Sequence, residues 1–79
     1  MTVLYFAHAR RLTGVSQEEI PVTAPLTSAA FWELLTQRHP AIAPLRTSSR
    51  LARGNGFLPF DARIEPTDEI AVIPPVSGG

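Results

Sequence analysis

Apolar residues fall in short clusters along the chain, parted by polar stretches and prolines, and the spacing inside each cluster predicts a different element. Val3-Leu4-Tyr5-Phe6-Ala7 is an unbroken apolar and aromatic run, which reads as a strand covered on both faces. Residues 9–14 (Ala-Arg-Arg-Leu-Thr-Gly) read as a polar connection with Gly14 at a turn. Glu18-Glu19-Ile20-Pro21-Val22 predicts a second, shorter strand, and Pro21 places it at a sheet edge. A meander between the two follows.

The strongest helix signal opens at Leu26-Thr27. Thr27 can accept a hydrogen bond from an early orphan N–H as N-cap. Leu26 before the cap and Phe31 four residues into the helix have the spacing of a hydrophobic staple. Ala30, Phe31, Leu34 and Leu35 form one apolar stripe at helical period, with Trp32 at its margin and Glu33, Thr36 and Gln37 facing away. Arg38 and His39 suit the negative end of the helix dipole, and Pro40 ends the helix. Residues 41–50 are expected to be irregular, with at most one helical turn. Leu51-Ala52-Arg53 and Phe57-Leu58 flank Asn55-Gly56, a two-residue hairpin signal, and Pro59 marks another edge. Glu65-Pro66-Thr67-Asp68 reads as a turn before the final apolar, β-branched strand Ile70-Ala71-Val72-Ile73.

Two strands, a helix and then two or three short strands are most simply satisfied by one helix packed on one mixed sheet. With the two most apolar strands, first and last, at the centre, the expectation is an α+β, ubiquitin-like β-grasp with four or five strands. It would occupy residues 1–74 and leave 75–79 as a flexible tail.

Composition narrows what such a domain can do. At 79 residues the core is modest, burying roughly 60% of the unfolded surface. Zero net charge removes any general electrostatic drive towards nucleic acid or acidic membranes. No apolar run is long enough to span a bilayer and no leader pattern opens the chain, so a soluble, cytoplasmic protein is expected. There is no cysteine, hence no thiolate nucleophile and no thiolate metal ligand. There is also no lysine: all seven basic residues are arginine, so no side-chain amine can act as base or accept an isopeptide bond. His8 and His39, without nearby cysteine or a clear carboxylate set, make a weak metal pair, and no metal site is expected. Arg10, Arg11, Arg50 and Arg53 read as scattered solvated cations rather than one basic patch.

Chemistry is instead concentrated in the ending Pro74-Pro75-Val76-Ser77-Gly78-Gly79. Prolines continue neither sheet nor helix, and glycines add nothing to a packed core. Without β-carbons near its end, such a tail can thread a narrow channel and present the Gly79 carboxylate to a nucleophile. Five extended residues from Pro75 reach roughly 17 Å.

Two stretches carry a family resemblance. One is Val3-Leu4-Tyr5-Phe6-Ala7-His8-Ala9-Arg10 with Leu12 and Gly14, and the other is Asp68-Glu69-Ile70-Ala71-Val72-Ile73 with the tail. On these the chain resembles the MoaD/ThiS sulfur carriers, and within them the small subunits of molybdopterin synthases. Thr67 departs from the pattern, standing where the family usually has glycine.

The resemblance implies that an E1-like adenylating enzyme (MoeB-like) activates the Gly79 carboxylate with ATP. The resulting acyl-adenylate takes up sulfur as a thiocarboxylate. That sulfur passes to a pterin precursor, cyclic pyranopterin monophosphate, in the active site of a MoaE-like large subunit. The chain would bind no cofactor and catalyse nothing alone. Pro75, Val76, Ser77 and Gly78 would form the threaded tail, and Phe6, Phe57 and Ile73 an apolar docking patch beside it. It also allows Asp68-Glu69 a contact with the activating enzyme. Alternatives within the same architecture are a sulfur carrier for thiamine, amino-acid or tRNA thiolation, and a ubiquitin-like modifier.

Overall fold

The computed structural model describes residues 1–54 and 56–75. Asn55 and the tail residues Val76, Ser77, Gly78 and Gly79 lie outside them. Five strands, β1 (Thr2–Tyr5), β2 (Gln17–Glu19), β3 (Arg50–Arg53), β4 (Gly56–Phe57) and β5 (Glu69–Ile73), form one mixed sheet in the order β2-β1-β5-β3-β4. β1 and β5 run parallel, with Val3 opposite Ile70 and Tyr5 opposite Val72, and the other pairings are antiparallel. The two most apolar strands are thus central, as the sequence predicts, and the architecture is the expected ubiquitin-like β-grasp.

Helix α2 (Ser28–Arg38) crosses the sheet, and its start obeys local chemistry. The Ala30 N–H donates to the Thr27 hydroxyl at 3.1 Å, closing the predicted cap. Leu26 is fixed in turn by a pair of backbone hydrogen bonds with Ile64, at 2.8 and 2.9 Å. Phe31 and Leu35 are fully buried against Val3, Tyr5, Ile70 and Val72 from the sheet. Trp32, expected at the margin, is buried as well, whereas Leu34 and Ala30 are only partly covered. The buried arc is wider than one stripe because a 3₁₀ helix (Pro40–Leu45) folds back beside α2 and adds Ile42 and Leu45 to the core. That helix is longer than the single turn allowed for residues 41–50.

Three further expectations are corrected. The opening apolar run is not a strand covered twice: β1 ends at Tyr5, and only Val3 and Tyr5 face the helix, leaving Leu4 half-buried on the other side. The supposed polar connection after it is helix α1 (Ala7–Thr13), anchored by buried Ala9 and closed at Gly14. Gly14 takes φ 80°, the left-handed cap conformation that glycine adopts without penalty, and its N–H donates to the Arg10 carbonyl at 2.9 Å. In the hairpin, Arg53 pairs with Gly56, so the two linking residues are Gly54, at φ 61°, and Asn55; Gly56 belongs to β4. Thr67 keeps a negative φ while Asp68 N–H bonds the Glu65 carbonyl at 3.0 Å, so this turn does not need glycine.

Candidate functional site

Side-chain alternation gives the sheet a second, uncovered face. Register places Leu4 beside Ala71, Ala71 beside Ala52, and Ala52 beside Phe57, which makes one row across four strands. The next row, nearer the tail, holds Phe6, Ile73 and Arg50, with Arg50 directly opposite Ile73. Ala52 and Ala71 thus stand among Leu4, Phe6, Ile73 and Phe57 on this face. Phe6 is 48% exposed and Phe57 52%, while Ile73 is half-buried. All three residues expected to form a docking patch therefore stand on one open face and outside the core. A contiguous exposed apolar surface on so small a domain is the kind that marks an interface.

Phe6 owes its position to an unusual backbone. Its N–H continues the parallel ladder to the Val72 carbonyl at 3.3 Å, and it then caps α1. Ala7, the first residue of that helix, has φ 49°. The chain turns from strand to helix within one residue, leaving Phe6 pointing outwards.

The tail's root is set by β5. Pro74 is buried and Pro75 exposed, so the chain leaves the body beside Ile73. The sequence-predicted residues Val76, Ser77, Gly78 and Gly79 lie outside the described part.

Sequence reasoning missed Arg50 as part of this face. Its guanidinium carbon lies 4.0 Å from the Phe57 ring centroid, a cation–π contact that bridges Phe57 to Ile73. Strand alternation puts Arg53 on the opposite face, where it donates to Asp68 at 2.8 Å, while Arg10 and Arg11 stand on α1. Arg50 and Arg53 therefore share no face. Asp68 is not merely solvated either. The Glu65 backbone N–H, at 2.8 Å, together with Arg53 holds its carboxyl below the usual range, outweighing the opposing effect of burial.

A second cluster absent from the sequence reading ties β1, β2 and the end of α2 together. The Tyr5 hydroxyl donates to Glu18 at 2.6 Å, His39 Nε2 lies 2.8 Å from the same carboxylate oxygen, and Arg38 approaches at 3.6 Å. Burial alone would raise the Glu18 carboxyl, but the bonds to Tyr5 and His39 outweigh it and lower it. Burial, reinforced by Glu18, pushes the Tyr5 phenol well above its ordinary value. With Tyr5 99% covered, the cluster braces β1, β2 and the end of α2 against one another. His39 thus has a partner that the helix dipole did not reveal, and His8 is exposed on α1. Among the described residues no group of three potential metal ligands occurs, and no helix is long and apolar enough to cross a membrane. A hollow of about 530 Å³ between α2 and residues 58–60 is lined by Trp32, Arg46, Leu58 and Phe60 among others, without a carboxylate or histidine.

Comparison with known proteins follows the same outline. The profile of the ThiS family matches residues 3–79. The chain is 38% identical over 80 residues to the molybdopterin synthase sulfur carrier subunit of Homo sapiens, covering 98% of this chain and 91% of that protein. To the subunit of the same name in Arabidopsis thaliana it is 34% identical, with 98% and 80% covered. The crystal structure of SAMP1 from Haloferax volcanii superposes with a TM-score of 0.83 at 23% identity, over 100% of this chain and 98% of that one. This last likeness speaks for the fold alone.

Proposed function

The chain belongs to the ThiS family, and from that premise we propose that it is the sulfur-carrier small subunit of a molybdopterin synthase. The observation that carries the reading is the near-full-length match to subunits of that name, together with a family match running through Gly79. In this role the Gly79 carboxylate is the reacting group. A carboxylate resists attack because its oxygen leaves poorly. An E1-like enzyme joins it to the AMP part of ATP with loss of pyrophosphate, and a sulfur nucleophile then displaces AMP. The product is a thiocarboxylate, a nucleophile at the tip of a tether. Ordering the tether inside a partner costs on the order of 1–2 kcal/mol per residue, less for proline, so affinity has to come from the body. The open face with Leu4, Phe6, Phe57 and Ile73, next to the tail's root, suits that task for the synthase large subunit.

The test uses the thiocarboxylated protein and a large subunit supplied with pterin precursor. Removing Gly79, or extending the chain beyond it, is expected to abolish sulfur transfer while leaving the thermal midpoint unchanged. Intact mass should report exchange of one oxygen for sulfur in the wild type and none in the truncated chain. Transfer by the truncated chain would overturn the reading.

A further inference from the structure

We propose that Arg50 selects the docking partner by pairing with a carboxylate which that partner presents beside the tail's root. This rests on the sulfur-carrier reading above and adds the chemistry of the surface that receives the body. Arg38, Arg46, Arg53 and Arg63 each have a carboxylate within 4.0 Å. Among the described residues Arg10 and Arg11, on α1, and Arg50 have none. Of these three Arg50 is the one on the open face, lying between Phe57 and Ile73. A partner that covers those two apolar side chains must cover the guanidinium too. Burying an uncompensated cation is strongly unfavourable, so a well-matched surface brings an anion to it. The Arg50 guanidinium carbon lies over the Phe57 ring, which holds the cation across the sheet. The N–H edge is left free for the two parallel hydrogen bonds that a carboxylate accepts. At the far end of the same face stand Glu19 and Glu69, opposite Thr2, which gives the face a direction: basic at the tail, acidic away from it. A partner carrying the complementary polarity docks in one orientation, with its channel at the tail.

The experiment titrates the full thiocarboxylated chain with the large subunit at low and high salt. Arg50→Glu is expected to weaken binding on the order of tenfold or more, because like charges then meet. Arg50→Met keeps the apolar stem and is expected to weaken binding about threefold while flattening its salt dependence. An Asp or Glu to Lys change on the large subunit should restore binding to Arg50→Glu and weaken it to the wild type. Wild-type affinity in Arg50→Glu, or an unchanged salt dependence in Arg50→Met, would overturn the proposal and leave the sulfur-carrier reading intact. Failure of the wild-type chain itself to bind the large subunit would overturn both.

Discussion

Ala7 holds a left-handed conformation that a residue with a β-carbon adopts at a cost of about 1 kcal/mol. The cost is tolerated where a strand must become a helix in one step and still present Phe6 to the outside. Ala7→Gly is therefore expected to leave stability unchanged or raise it by up to about 1 kcal/mol, since glycine takes positive φ freely. Ala9→Gly, two residues on in right-handed helix and fully buried, should lower stability by about 1 kcal/mol or more. Denaturant midpoints of the two variants give the comparison, and the reverse order would remove the strain argument. Tyr5 makes a different point at the same scale. Its ring is core, but its hydroxyl serves Glu18, so Tyr5→Phe should cost about 1–2 kcal/mol with partner affinity unaltered.

Between elements, the two sides of the sheet should respond oppositely to truncation. Phe6→Ala or Ile73→Ala is expected to weaken binding to the large subunit at least about tenfold, as removal of a central apolar anchor does. Leu35→Ala, under the sheet, should cost about 2–5 kcal/mol of folding free energy. Calorimetry of unfolding and of binding on the same samples separates the two. Unfolding of the Phe6 or Ile73 variant, with normal binding by its folded remainder, would return that residue to the core. The elements differ in how plainly the sequence announces them. Helix α2 is legible because its cap, staple and stripe all lie within a dozen residues. Helix α1 escapes because only Ala7, Ala9 and Leu12 are apolar and two arginines interrupt them. Its available signal was at the end, where basic residues precede Gly14 as they do at many helix C-termini. The hairpin was displaced by one residue because Gly54 and Gly56 flank Asn55, and only strand pairing decides which glycine turns the chain.

For the molecule as a whole, element order and the two apolar central strands made the β-grasp readable, and the terminal motif pointed to the tail. Contacts far apart in sequence stayed hidden. Glu18 meets His39 across 21 positions, and the Arg50–Phe57 pair forms only once β3 and β4 are in register. The Glu18 cluster has a global consequence through proton binding. Glu18 and Asp68 titrate lower in the folded chain than their ordinary values of 4.5 and 3.8. The unfolded chain takes up those protons first as pH falls. The stability they contribute is full above the ordinary values and is lost on descending through the folded ones. Thermal midpoints recorded from about pH 7 down to about pH 3 should decline along an acid limb, and Glu18→Gln should make that limb shallower. An identical slope in both proteins would show that Glu18 is not linked to folding. Tyr5 works in the other direction. Its raised phenol adds stability that is present below pH 10.0 and fades above it.

The tail's root is a central strand, and this has a mechanical meaning. A partner that grips residues beyond Ile73 pulls along β5, which is bonded on one side to β1 and on the other to β3. Tension applied there loads both ladders in shear, so their hydrogen bonds resist together. At the β3–β4 edge the same pull would peel the bonds open one after another. A domain tethered through β5 can be drawn against a narrow opening and withdrawn again without unravelling. Anchored by β1 and pulled through β5, it should yield at higher force in an optical trap than when pulled through the β3–β4 hairpin.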